Sequence, residues 1–209
     1  LDERFLVNPS VALDQCGQLV TDMAKLAAKN LADALSLIYD YSDAGMKVVS
    51  SDEDLVDKYE DKLGEYLIKL NHQELTKADN ETASKYLKAL SDFERVSDHA
   101  INISEVAKEL NDKKIVFSAD AQNELDILFA AVHEIIRLSF NSFIEGDVES
   151  AYMVEPLEEQ IDVLTDTLKS RHIMRLQQGS CSLETGFVFN DLITNCERVS
   201  DHCSNIAIA

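Results

Sequence analysis

An all-α chain built from a duplicated three-helix unit is the fold the sequence predicts, and three observations predict it. Only 6 Gly and 2 Pro occur in 209 residues, too few to punctuate a many-stranded β protein. Apolar residues recur at alternating spacings of three and four, the period of a helix face. The string "ERVSDH" occurs twice, at Glu94–His99 and Glu197–His202 (197 − 94 = 103).

Six helical segments follow in order. The first runs from about Ser10 to Asp43 and meets Gly45. The second starts near Asp52, after the cap-like "SSDED", and fades between Asn71 and Glu74. The third covers about Asn80 to Asn111 and gives way to the polar "NDKK". The fourth spans Ala119 to Glu145, the fifth Val148 to Gln178 and the sixth Ser182 to the end. Gly146 and Gly179 fall just past helix ends, where a left-handed residue commonly closes the last turn. Pro156 either opens the fifth helix or kinks it.

The third segment carries a seam of Phe93, Val96, Ala100, Ile103, Ala107 and Leu110, and the sixth carries Cys196, Val199, Cys203 and Ile206. Cys196 therefore stands in the place of Phe93 and Cys203 in that of Ala100, both as small buried hydrophobes rather than ligands. In the second and fifth segments Tyr59, Leu63, Tyr66 and Leu70 match Leu157, Ile161, Leu164 and Leu168. Two units result, 1–112 and 113–209.

A formal charge of −20, from 39 acidic and 19 basic residues, repels nucleic acid and anionic lipid and attracts cations. The four cysteines form no C-x-x-C pair. No run of about 18 apolar residues is present, and no signal peptide is expected. The chain starts at Leu1 and stops in mid-pattern at "CSNIAIA", so it is expected to be a piece of a longer polypeptide.

With Phe93 and Val96 on the core side, Glu94, Asp98 and Asn102 lie at i, i+4 and i+8 on the outer face. Glu197, Asp201 and Asn205 repeat the pattern. Side chains four apart are about 6 Å from each other on a helix, so such carboxylates can converge on one cation. The preceding helices bring further acids: Asp57, Glu60 and Asp61 in the first unit, Glu155, Glu158, Glu159 and Asp162 in the second. Clustered like charges repel unless a cation or arginines neutralise them. The bland alternative is a solvated face in which Arg95 and Arg198 pair with the acids. Oxygen-only ligands suit hard cations such as iron(III), magnesium, manganese or calcium, and zinc also accepts carboxylates. His99 and His202 flank the seam as hydrogen-bonded packing residues. No Glu-x-x-His, H-E-x-x-H, G-x-S-x-G or phosphate-binding glycine loop occurs, so no enzymatic activity is expected.

The strings "ERVSDHAINI" and "ERVSDHCSNI", on the third helix of a duplicated unit, resemble the E-R-x-x-D-H-x-x-N-I motif of the PhoU family of phosphate-transport regulators. The opening "LDERFLVNPSVALDQ" resembles the segment following the membrane domain in bacterial sodium/phosphate cotransporters with a C-terminal PhoU-like domain. The resemblance implies two pseudo-symmetric antiparallel three-helix bundles side by side, with multinuclear metal clusters held by E/D-x-x-x-D motifs. The metal would be iron, sometimes zinc or nickel. Glu94, Asp98, Glu197 and Asp201 match the motif, as do Glu158 and Asp162. Gly64 falls where Asp162 sits when the seams are aligned, which implies a weaker or differently built first site around Asp57, Glu60 and Asp61. The implied function is regulatory, at the cytoplasmic face of the bacterial inner membrane. The partner would be a transporter domain of the same polypeptide; for a freestanding regulator it would be a phosphate transporter or sensor kinase. Phosphate could bind through the metal, and a homo-oligomer is a common arrangement.

Overall fold

The computed structural model describes all 209 residues. A short 3-10 turn at Glu3–Val7 precedes six helices: α1 Pro9–Leu37, α2 Asp43–Asn71, α3 Lys77–Lys113, α4 Ala119–Glu145, α5 Val148–Gln177 and α6 Leu183–Ala207. Ser42, Thr76, Ser118, Asp147 and Ser182 start α2 to α6, each accepting a backbone N–H two or three residues on. These caps satisfy donors that the first turn of a helix leaves without partners. Gly146 and Gly179 take φ of 67° and 68°, the left-handed conformation that lacks a Cβ clash only for glycine. Lys114 does the same work after α3 with φ 55°.

Two boundaries differ from expectation. Helix α1 stops at Leu37, and α2 begins at Asp43, nine residues before Asp52. Ser42 Oγ accepts the Gly45 N–H at 3.0 Å, so Gly45 belongs to the first turn of α2 and does not end α1. The polar "SSDED" is a mid-helix face. Pro156 lies inside α5, which runs through it; its ring lacks the N–H that would bond the Tyr152 carbonyl.

Helices α1, α2 and α3 form one antiparallel bundle and α4, α5 and α6 the other; α3 packs along α6, and α1 touches α4. One apolar core runs through both bundles. Phe93 of α3 is fully buried against Phe140 and Phe143 of α4, with ring centroids 5.0 and 5.3 Å away. Helix α4 contains an 18-residue window of mean hydropathy 1.4, long and apolar enough by composition to cross a membrane, but it serves as a core helix with 56% of that window buried.

Burial sets the repeat register. Val49, Val56, Leu63 and Leu67 of α2 are buried, as are Val154, Ile161, Leu168 and His172 of α5, at a constant offset (154 − 49 = 105). Pairing Tyr59 with Leu157 (157 − 59 = 98) is one heptad out. Two helical turns preserve a 3-4 seam almost unchanged, so apolar spacing alone could not tell the registers apart. The correct register sets Gly64 opposite Lys169, not Asp162. A Cβ on Gly64 would meet nothing within 4 Å. Gly64→Ala is therefore expected to stabilise the protein by about 0.5–1 kcal/mol, read from urea denaturation; a loss of stability would show that the glycine is needed there.

Candidate metal centres

Adjacent pairs of antiparallel helices each assemble three carboxylates from two chain segments. In the first bundle Glu53 and Asp57 of α2 meet Asp98 of α3. In the second, Glu158 and Asp162 of α5 meet Asp201 of α6. Within each group one oxygen from every residue lies within 4.8 Å of the others. The groups are register equivalents, because Glu53 and Glu158, and Asp57 and Asp162, are each 105 apart. Both are E-x-x-x-D pairs on one helix face, completed by the Asp of "ERVSDH" on the next helix.

The expected residues therefore divide. Asp57, Asp98, Glu158, Asp162 and Asp201 enter the groups. Glu60, Glu94 and Glu197 border them, since Glu60 and Asp98 both raise the Glu94 carboxyl and Glu197 raises that of Asp162. Asp61 is exposed, further along α2 and outside the first group. Asn102 and Asn205 lie outside both groups. Each sits at i+8 from its Glu, about 80° around the helix at 3.6 residues per turn, and each turns toward the opposite bundle. Asn102 Nδ2 donates to Asn195 Oδ1 at 3.3 Å, and Asn205 Nδ2 to Asp92 Oδ1 at 3.1 Å. The same acceptors meet His99 Nδ1 at 2.8 Å and His202 Nδ1 at 2.9 Å, with the two imidazoles 5.6 Å apart. The histidines thus hold the α3–α6 interface, as their place beside the seam implied.

Glu53 was not anticipated. Its E-x-x-x-D spacing to Asp57 was in the sequence, but starting α2 near Asp52 turned residues 52–54 into a presumed cap.

Electrostatics favour a cation. Partial burial first, then neighbouring acids, push the carboxyls of Glu53, Asp57, Glu60, Glu158 and Asp162 above the usual range. Glu94 is pushed up to about 7, by burial and then Asp98, with Arg95 pulling the other way. Arg95 Nη1 donates to Asp98 Oδ2 at 2.9 Å and Arg198 Nη1 to Asp201 Oδ2 at 3.1 Å. Both arginines are more than half exposed, so these bonds contribute little and yield readily. Around the first group, Glu53, Asp57, Glu60, Glu94 and Asp98 face one arginine. Around the second, Lys169 Nζ also binds Glu197 Oε2 at 2.5 Å, at the register position of Gly64. The repeats differ by a missing lysine in the first, not by a missing acid. All-carboxylate oxygen donors fit a hard cation.

A carboxyl raised in the folded state gives stability that is present below its unfolded value of about 4.5 and lost as pH climbs toward about 7. In chelator, Glu94→Gln is therefore expected to raise the melting temperature at pH 7.5 and leave it near wild type at pH 4.5. A lower melting temperature at pH 7.5 would show that Glu94 has a compensating partner.

The PhoU domain family matches residues 20–107 and 125–209. "Phosphate-specific transport system accessory protein PhoU homolog 1" of Thermotoga maritima is 25% identical over 189 residues, covering 90% of this chain and 80% of that protein. "Putative inorganic phosphate export protein YjbB" of Escherichia coli K12 is 24% identical over 147 residues, covering 68% of this chain and 26% of that protein. The crystal structure of PhoU from Pseudomonas aeruginosa superposes with a TM-score of 0.88 at 18% identity, over 95% of each chain.

Proposed function

Since the chain belongs to the PhoU domain family, we propose that it regulates phosphate transport, without enzymatic activity, through a metal-bearing surface on its two helix pairs. The observation that carries this reading is the pair of register-equivalent carboxylate groups, Glu53–Asp57–Asp98 and Glu158–Asp162–Asp201. They recur while much of the sequence between the repeats has diverged. Six carboxylates in two places, with one arginine each within reach of the key Asp, support a structural or signalling cation better than a solvated face. A bound cation, iron foremost by family resemblance and zinc, nickel or magnesium as alternatives, would neutralise the mutual repulsion and clamp α2 to α3 and α5 to α6. It would also leave a positively polarised patch on an acidic protein.

The partner in this reading is a phosphate transport component in a separate polypeptide. The T. maritima relative, matched over most of its length, favours this freestanding arrangement. A second reading is a regulatory segment of a sodium-coupled phosphate carrier at the inner membrane; the E. coli phosphate export relative, of which the match spans about a quarter, supports only the attachment to a longer polypeptide.

The test is phosphate uptake by source cells deleted for this sequence and complemented with wild type or with Asp98→Asn/Asp201→Asn. Wild type is expected to restore the response of uptake to external phosphate, and the double variant to fail. Uptake that responds normally in the deleted cells would overturn the proposal. The size of the polypeptide carrying the sequence, and whether it sediments with membranes, separates the two arrangements.

A further inference from the structure

The polar edges of the two repeats are closed in different ways. Across the edge between α5 and α6, Lys169 Nζ of α5 binds Glu197 Oε2 of α6 at 2.5 Å, with both side chains mostly buried. Between α2 and α3 there is no ion pair and no side-chain hydrogen bond. Arg95 reaches only Glu94 and Asp98, on its own helix, and Lys62 only Glu65, on its own.

The difference sits at one register position. Lys169 answers to Gly64 (169 − 64 = 105) and Glu197 to Glu94 (197 − 94 = 103), the same offsets that relate the two carboxylate groups. Gly64 leaves the place of the Lys169 side chain open, since even a Cβ there would meet nothing within 4 Å. A second exchange works in the same direction. Glu60 borders the first group, and its equivalent in α5 is Thr165, buried and bonded through its hydroxyl to the Asp162 carbonyl at 2.9 Å. The first group and its borders thus set Glu53, Asp57, Glu60, Glu94 and Asp98 against Arg95 alone. The second sets Glu158, Asp162, Glu197 and Asp201 against Arg198 and Lys169. Exposed acids flank both, Asp54 and Asp61 in the first repeat, Glu155, Glu159 and Asp166 in the second.

An ammonium group is a cation that the chain carries itself. Burial, then Asp201, Glu197 and Asp166, raise the Asp162 carboxyl, and Lys169 pulls it back. Asp57, the equivalent residue, is raised by burial, then by Asp98, Asp61 and Asp54. Charges in a partly buried setting are screened less than exposed ones. Lys169 therefore acts twice on a cation arriving at the second group: it repels the cation directly, and it already occupies Glu197. In the first group Glu94 is free of any such partner from α2.

We propose that Lys169 is the resident counter-ion of the second carboxylate group and makes the two centres unequal. The first takes a divalent cation more tightly, and binding there draws α2 and α3 together, whereas α5 and α6 are already held by the lysine. This asymmetry rests on the metal-bearing reading above. It adds an order of filling, and it makes the bundle of α1 to α3 the half that responds.

The test uses the full chain stripped by chelator and titrated with manganese(II), the free ion being read by electron paramagnetic resonance. Two classes of site are expected, apart by about tenfold or more, the effect of one nearby charge. Asp98→Asn should abolish the tighter class and Asp201→Asn the weaker. Lys169→Met keeps the apolar stem and removes the charge, so it should bring the weaker class close to the tighter one, while Lys169→Arg leaves them apart. Gly64→Lys should weaken the tighter class by about tenfold, and Gly64→Ala, which adds helix propensity without charge, should not. Manganese should slow amide hydrogen exchange in α2 and α3 and change it little in α5 and α6. A second measurement needs no metal: in chelator at pH 7.5, Lys169→Met is expected to lower the melting temperature, and Gly64→Lys to raise it above that of Gly64→Ala. Two equal classes in wild type, or a weaker class unmoved by Lys169→Met, would overturn the proposal and leave the metal reading standing. Absence of any manganese binding would overturn both.

Discussion

The double variant Asp98→Asn/Asp201→Asn is expected to purify folded and, on the metal-bearing reading proposed above, to hold essentially no metal under conditions where wild type binds it. Each Asp is the sole member of its group from the second helix. Without it, two carboxylates of one helix face remain, and no clamp between helices. Loss of an outer-shell partner alone typically costs 10–100-fold in metal affinity, so loss of a direct ligand should cost more than roughly a hundredfold. Because the groups lie in different bundles, Asp98→Asn or Asp201→Asn alone should remove only the metal of its own site. Elemental analysis of the purified variants, with manganese or iron titration into chelated protein, reads this directly. Two further variants test the register. Glu53→Gln should weaken the first site, whereas Asp61→Asn should leave it unchanged. If Asp61→Asn weakens binding and Glu53→Gln does not, the grouping in α2 is wrong.

Phe93→Ala is expected to be the most damaging change to stability, at about 3–5 kcal/mol. The ring is fully buried and joins α3 to α4 through Phe140 and Phe143, so its loss opens a cavity between the bundles rather than inside one. For a chain of this size that corresponds to a melting temperature lower by on the order of 10 °C. Urea denaturation checks the magnitude. A loss below about 1 kcal/mol would mean that the neighbouring helices collapse into the space. Cys196, its counterpart in α6, is equally buried but has far less volume to lose, so Cys196→Ala should cost clearly less.

Most of the fold was legible because helix faces are written locally. The seam of Phe93, Val96, Ala100 and Ile103 is buried as its spacing implied, and Gly146 and Gly179 mark helix ends as their chemistry implied. What was illegible depended on comparing distant segments. A heptad slip leaves an apolar seam intact, so only burial revealed that Val49 answers to Val154 and Glu53 to Glu158. A serine cap at Ser42 and a serine inside α2 look alike until the hydrogen bond to Gly45 is seen. The site was half readable: Asp98 and Asp201 stood out by repetition, whereas Asn102 and Asn205, repeated just as faithfully, serve the interface between bundles. Repetition marks a shared constraint without saying which one.

That interface has a genealogical consequence. His99 with Asn102 grips Asn195, and His202 with Asn205 grips Asp92, so α3 and α6 meet about a local twofold axis with one mismatched pair. Contacts of this kind are what a C2 dimer of a single repeat would make, the same patch on both partners. An unfused ancestor would have faced its own copy with two Asp or two Asn. Within one chain the two partners need not be identical, and here one is a carboxylate, Asp92, and the other an amide, Asn195. A single chain thus carries a handed junction where a symmetric dimer would carry an enforced symmetry, and its two halves are free to differ.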